Sequence, residues 1–524
     1  MRIEYSHCNF SNLDEIMFTK RSNFFWRDNV RSVARMIDKG LDEKDVESIK
    51  KGIEIGKKLI DTEEYNEKNL CRMSYLIANG YSDIYTLEFD RAKGYSQILD
   101  NKNLQNAKFY FREALRYSDN VNTELKLTIW TNYGNCMDHL CRNMESLFAY
   151  NEALKINPNF SMAIGNKAEA MKYFADLSGV YRVEIYKKAY KLLKSVINRK
   201  DLIRVGGKAA KTAFEHDIKI IESTINKDVL KKDLIHKKYD KSKMSTFEKF
   251  YVNLSLENDL FLNLHIHETE CEESIVDPIF ISKNLDMFND LAKILNQIKE
   301  DYIVARLLLV QSQFTREDFD NISNRTMLVD TNDHSMFGLH IGLLKSAFKE
   351  SFNILDKISR FINDYYGLGY TDNDRIYFPT IWKVKINNKR DFTNDYYELE
   401  SSHIGIIKFT TICRVKIGKD RWDINPKIKE SNNPGLLALY DINSDLSSYN
   451  SNLNLIRNKL VHEKLIIHNS NWDGIEDDYN IKYENMFLST IELFKIVKSA
   501  IIYLINFVEI EERKKARKLK LQNQ

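Results

Sequence analysis

Apolar residues recur along this chain at the three- and four-residue spacings of amphipathic helices. Val46, Ile49, Ile53, Leu59 and Ile60 mark one face of a helix predicted over 46–60, and Tyr75, Leu76, Ala78, Tyr81 and Ile84 mark a second over 69–87. Further on, Leu343, Leu344, Ala347, Phe348, Phe352, Leu355, Ile358 and Ile362 line a long helix beginning at His340, which Gly367-Leu368-Gly369 ends. Pro434-Gly435 precedes a helix carrying Leu436, Leu437, Leu439 and Tyr440. A last helix runs from Tyr483 to about Lys518, with Phe487, Ile491, Phe494, Val497, Ile501, Leu504 and Val508 at its apolar positions. Residues 370–430 break the pattern: they are polar and aromatic (Tyr377, Phe378, Trp382, Trp422) and read as an irregular insertion with short strands. The expectation is a mainly α chain, and only five prolines in 524 residues agree with helices joined by short turns.

The same pattern divides the chain. Residues 1–44, with Phe18, Phe24, Phe25 and Trp26, are expected to form an N-terminal cap, and 45–225 a set of helical repeats. Residues 226–330 form a middle linker module, which opens on a lysine-heavy solvated stretch, Lys227 to Lys243, and regains helical periodicity from Asn284 to Leu309. Residues 331–524 make the last domain, with the insertion at about 370–430.

The repeat signal is strongest at Trp130, Tyr133, Gly134, Met137, Ser146, Tyr150, Ala153 and Pro158, whose spacing resembles a tetratricopeptide (TPR) repeat. Gly134 and Ser146 are small where two antiparallel helices would touch. Tyr150 and Ala153 would pack the second helix, and Pro158 would end it. A partial match lies earlier at Ala107, Phe111 and Ala114, and a weaker unit begins near Ala163 and Ala168. One repeat cannot bury its own apolar face, so three or four units are expected, forming a concave array that takes a protein or peptide ligand.

Candidate chemistry centres on Arg457-Asn458-Lys459-Leu460-Val461-His462. Upstream, Tyr449, Leu453, Ile456 and Leu460 form one apolar stripe of the helix that carries it. At about 100° per residue, Arg457 falls on the flank of that stripe, and Asn458 and His462 fall on the far side. About 140° separates Arg457 from His462, so the two flank a broad polar face that a second subunit could complete. Cleaving an RNA phosphodiester requires removing the 2′-hydroxyl proton and stabilising charge on the in-line phosphorane. Histidine suits acid–base work near neutral pH. Arginine presents a planar, permanently charged fork to phosphate oxygens. Asn458 would orient either group. The bland alternative is an arginine and a histidine solvated on an exposed helix face.

Composition narrows this picture only slightly. Lys and Arg number 78 against 75 Asp and Glu, so no global field points to nucleic acid. A local basic cluster closes the last helix at Arg513, Lys514, Lys515, Arg517, Lys518 and Lys520. With Lys459, the first three of these are the candidate RNA contacts. Cys8, Cys71, Cys136, Cys141, Cys271 and Cys413 follow no disulfide spacing, which fits a reducing, cytoplasmic setting. The opening Met-Arg-Ile-Glu-Tyr-Ser-His-Cys holds no apolar core of a secretory leader, and the longest apolar run, Ala500 to Ile505, is too short to span a membrane. His265-Ile266-His267 and Cys271, among Glu268, Glu270, Glu272 and Glu273, lack the second half of a tetrahedral set, so no metal and no cofactor is expected. Gly206-Gly207-Lys208 lacks the first glycine and the closing Ser/Thr of a phosphate loop and reads as a helix–helix turn.

Taken in order, a long first helix, an R-N-x-x-x-H helix and a long closing helix resemble the HEPN superfamily. The stretches His340–Leu355, Leu436–Leu465 and Phe487–Lys515 carry the likeness. The whole chain is similar to the branch in which a TPR array precedes such a domain. The resemblance implies a TPR-like array followed by a HEPN-type helical bundle. It also implies a metal-independent endoribonuclease acting as a homodimer in which two motifs face one RNA, tRNA or another structured species. Arg457 would bind the scissile phosphate, His462 would serve as general base or acid, and Asn458 would orient them. The products would be a 2′,3′-cyclic phosphate and a 5′-hydroxyl. Such a protein would act as an anti-phage, abortive-infection or toxin effector, with the array as its sensor. The competing expectation is a non-catalytic TPR scaffold whose HEPN-like bundle only dimerises or binds nucleotide.

Overall fold

Helices form where the apolar stripes predict them, and an Asp or Asn stands at many of their starts. In α2 (Val46–Ile60) the side chain of Asp45 accepts from the N–H groups of Glu47 and Ser48. Asn66, Asn101 and Asn122 cap α3 (Glu67–Glu88), α4 (Lys102–Arg116) and α5 (Thr123–His139) in the same way. Each satisfies backbone donors that a helix start leaves without an internal partner. The computed structural model describes residues 23–61, 66–175, 182–232, 238–264, 271–279, 288–314, 321–329, 331–370, 376–385, 422–447, 452–477 and 479–522. It is mainly α and divides into two units, residues 1–235 and 236–524.

The first unit runs from α1 (Asn23–Glu43) through α2 to α5 and on to α6 (Asn143–Ile156), α7 (Ser161–Phe174), α8 (Arg182–Val196), α9 (Lys200–Thr224) and the short α10 (Lys227–Lys231). From α1 to α9 each helix packs on the next, and α3, α5, α7 and α9 also reach back to α1, α3, α5 and α7. The odd-numbered helices thus form one continuous layer, whereas α2, α4, α6 and α8 do not meet one another to that extent.

Gly134 lets α5 and α6 close. A Cβ at this position would fall 2.4 Å from Tyr150 Cε1. Ala153 and Leu127 share an apolar cluster with Ala163, and Trp130 packs against it. Because Tyr150 is buried and its hydroxyl is bonded to Asn135, Gly134→Ala is expected to cost about 1–3 kcal/mol, the usual range for overpacking. Urea unfolding of the full chain, followed by helical circular dichroism, checks this, and an unchanged midpoint would contradict it.

A line of amides ties the odd-numbered layer together. Asn132 of α5 donates to Tyr75 Oη (2.8 Å) and Asn79 Oδ1 (3.2 Å) of α3. On the other side, Asn135 Oδ1 accepts from Tyr150 Oη (2.9 Å) and from Asn166 Nδ2 of α7 (2.8 Å). These asparagines are buried, so each such bond spares an amide the desolvation penalty of an unmade one. The Gly206-Gly207-Lys208 stretch lies inside α9, where Gly207 at φ +67° and ψ −171° interrupts the helical path.

The second unit contains α11 (Thr246–Glu257), α12 (Phe288–Gln313), α13 (Leu339–Tyr366), α14 (Pro426–Ser431), α15 (Pro434–Ser447), α16 (Asn452–His462) and α17 (Tyr483–Gln522). Helix α12 packs along α13, while α13 and α15 both pack on α17. Phe348, Phe352, Leu355, Ile358 and Ile362 of α13 are buried, as are Val497, Ile501, Leu504 and Val508 of α17. The left-handed Gly367 ends α13, and its N–H returns to Asn363 O.

The start of α15 is drawn tightly onto α17. A Cβ on Gly435 would lie 2.5 Å from Phe507 N and 2.7 Å from Tyr503 O, which only glycine avoids. The buried Asn433 accepts from the N–H groups of Gly435 (2.9 Å) and Leu436 (3.3 Å) and donates to Phe507 O (2.9 Å) and Glu511 Oε1 (2.8 Å).

At the other end of the unit, Arg306 of α12 donates to both oxygens of Asp277 (3.1 and 2.7 Å), to Leu260 O (2.8 Å) and to Tyr251 Oη (2.6 Å). Within the stretch expected as an insertion, about 370–430, β1 (Lys383–Lys385) pairs antiparallel with β2 (Trp422–Ile424). The segment between these strands lies outside the described residues. After α16, β3 (Ile466–His468) and β4 (Asn480–Lys482) pair in parallel. Among the described residues no helix is long and apolar enough to cross a membrane.

Candidate active site

Helix α16 packs against α13, α15 and α17 and buries Leu453 and Ile456 there. Its opening stripe residue Tyr449 lies outside the described residues. Burying one side of a short helix turns its other side outward, and Asn458, Val461 and His462 are exposed. His462 is the last residue of the helix.

Arg457, on the flank, does not face open solvent. Its Nη2 donates to Asp356 Oδ2 of α13 at 3.3 Å. Its guanidinium carbon lies 4.9 Å from the Phe352 ring centroid and 5.9 Å from that of Tyr377. Asp356 also accepts the N–H of Phe378 at 2.9 Å. Burial pushes the Asp356 carboxyl above the usual aspartate range, while the Phe378 N–H and the charges of Arg457 and Arg360 oppose that rise. The result is an arginine fixed in direction by one carboxylate and an aromatic flank, with its remaining N–H groups available to another acceptor.

The other expected site residues divide. Asn458 and His462 hydrogen-bond neither to Arg457 nor to each other, so the structure does not join the three within one chain. Lys459 is only 6% exposed. Its ammonium donates to Glu463 Oε2 (2.7 Å), which raises its pKa, and stands 4.0 Å from the Tyr479 ring centroid.

In the basic tail, Lys514 Nζ donates to Ser431 O (2.6 Å) at the C-terminus of α14 and to Glu511 (2.8 Å). Lys515 donates to Glu512 (2.6 Å) and lies 4.6 Å from the Tyr365 ring centroid. These two lysines tie helix ends together, while Arg513 is exposed. The residues that sequence reasoning missed are Asp356, Phe352, Tyr377 and Tyr479. Asp356 lies 101 positions from Arg457, beyond any local pattern.

The His265-Ile266-His267 stretch lies outside the described residues. Among those described, no three His, Cys, Asp or Glu side chains gather as a metal site.

In this unit the short polar helix α16 is set against the two long helices α13 and α17. Residues 282–511 match the family model for LA2681-like HEPN, which supports a HEPN domain in the C-terminal part of the chain. The matched region contains α12, Asp356 and the whole of α16. No curated protein and no solved structure matches the chain.

Proposed function

We propose that this protein is a metal-independent endoribonuclease of the HEPN type, acting as a homodimer on tRNA or another structured RNA. The observation that supports this reading is that one helix of the HEPN-matching region carries both an exposed imidazole and a guanidinium whose direction is fixed. His462 removes the proton from a 2′-hydroxyl, and that oxygen attacks the adjacent phosphorus in line. Arg457 holds the non-bridging oxygens as charge builds on them. The imidazole of the second protomer protonates the departing 5′-oxygen, leaving a 2′,3′-cyclic phosphate and a 5′-hydroxyl. Asn458, exposed on the same helix, orients these groups once RNA is bound. In the cell the protein is an anti-phage, abortive-infection or toxin effector of the cytoplasm, and its TPR-like array takes the protein or peptide that regulates it.

One observation favours a second reading. Arg457 is bonded to Asp356 and not to His462, a contact that fastens α16 to α13 and would serve a non-catalytic bundle equally. Purified full-length protein incubated with total RNA in EDTA separates the two. The nuclease reading expects new ends carrying 2′,3′-cyclic phosphate and growth arrest on expression, with or without phage. Intact RNA and normal growth in both settings favour the scaffold.

Asp356 acts here as a positioning residue. Asp356→Asn keeps the shape and the Phe378 contact but removes the charge facing Arg457. It is expected to lower kcat by up to about 10²-fold, the scale of a misplaced group, with KM little changed. An unchanged kcat would contradict that role.

A further inference from the structure

We propose that Tyr479, with Lys459 and Lys464 over its ring, forms a subsite for an unpaired nucleobase and its phosphate beside α16. This inference rests on the ribonuclease reading. Tyr479 is a large aromatic residue left 40% exposed on an otherwise fixed backbone. Its carbonyl accepts from Ile466 N (2.8 Å), and its own N–H donates to Asp477 Oδ1 (2.8 Å). The same carboxylate accepts from the backbone and side-chain nitrogens of Asn480, at 2.8 and 2.9 Å. Glu476 holds Lys482 N (2.6 Å) and Asn485 Nδ2 (2.9 Å). At the start of the same loop Trp472 stacks on His468, with centroids 4.1 Å apart and planes at 10°. The ring is therefore presented by a bonded loop rather than by a fraying one.

The charges around the ring match a nucleotide. Lys459 lies 4.0 Å and Lys464 5.9 Å from the centroid. Lys459 already has Glu463, but Lys464 has no carboxylate partner among the described residues. Lys459 covers one side of the ring, and the part of Tyr479 left exposed, bordered by the Lys464 ammonium, is the combination that takes single-stranded nucleic acid: the base stacks and the cation meets the phosphate. The position fits too, because Lys459 directly follows Asn458 and stands three residues before His462. A base on Tyr479 would lie on the flank of α16 that Lys459 shares with His462, one helical turn apart, and about 160° round the helix from Arg457. Stacking needs an unpaired base, so the subsite selects loops or single strands within a structured RNA.

The test uses the full chain in a His462→Ala background, titrated with a single-stranded 12-nucleotide RNA carrying 2-aminopurine. Tyr479, Tyr479→Phe, Tyr479→Leu and Tyr479→Ala forms are compared, each after its unfolding curve is shown to match. Phe should retain the affinity and the quenching of 2-aminopurine. Leu, which fills space without a π face, and Ala should each weaken binding by about ten- to a hundredfold. Equal affinity and equal quenching across all four forms overturn the subsite. If the His462 protein also cleaves RNA, the ribonuclease reading survives that result. Absence of RNA binding by every one of these forms, together with absence of cleavage by the protein that keeps His462, overturns both.

Discussion

RNA cleavage by His462→Ala protein is expected to fall about 10²–10⁴-fold, the usual contribution of a positioned acid–base side chain, while the unfolding transition stays in place. His462 is exposed at the end of α16, and substitution of such a surface residue changes stability by about 0.5 kcal/mol or less. Loss of activity in this variant therefore reports on chemistry. Arg457→Ala is a less clean probe, because Arg457 also covers Phe352 and partly neutralises Asp356. Its loss would leave a half-buried carboxylate without its cation, so a fall in activity would mix catalysis with folding. The measurement is single-turnover cleavage of an end-labelled RNA, with wild type and His462→Ala at matched concentration. Equal rates would remove the imidazole from the mechanism.

The largest expected effect on stability is at Arg306. Burial works against its charge, and the hydrogen bonds and charge of Asp277 more than restore it, so its pKa stands above the ordinary arginine value. Arg306→Met would leave the Asp277 carboxylate without its cation and the carbonyl of Leu260 without the guanidinium, although Tyr302 Oη still donates to that carbonyl at 2.9 Å. Breaking one side of a buried pair costs about 3–5 kcal/mol. Replacing both members, Arg306→Met with Asp277→Leu, should recover a large part of that loss, since no unpaired charge remains. Urea unfolding followed by a probe in the C-terminal unit checks both variants. A single substitution with an unchanged midpoint would show that the knot is dispensable.

The features legible in the sequence are those written locally. A small residue at 134 where two helices touch is visible as a spacing, and the structure adds that the residue it makes room for is Tyr150. The periodicity over 46–60 becomes α2, with Asp45 as its cap. Leu453 and Ile456 announce the buried side of α16 in the same way. Other features depend on which segments meet, and no local pattern reports that. Asp356 reads as one polar position on an apolar helix until the fold brings Arg457 to it. Lys514 and Lys515 read as candidate RNA contacts in a basic tail. In the folded chain Lys514 meets the last carbonyls of α14, where a helix end favours a cation. Lys459 reads as exposed by its charge alone, yet its long stem lets the residue be buried while the ammonium reaches Glu463 and Tyr479.

The chain of amides through α3, α5 and α7 bears on how such an array can lengthen or shorten. Asn132 reaches backward to one helix and Asn135 forward to another, so one turn of α5 serves both neighbours. Duplicating a hairpin in register would copy both halves of that handshake, and the new copy would find its mates already in place. A gain or loss of half a hairpin would strand an amide in the interior. Descendants of this architecture should therefore differ in size by whole hairpins, each bringing its own pair of inner asparagines.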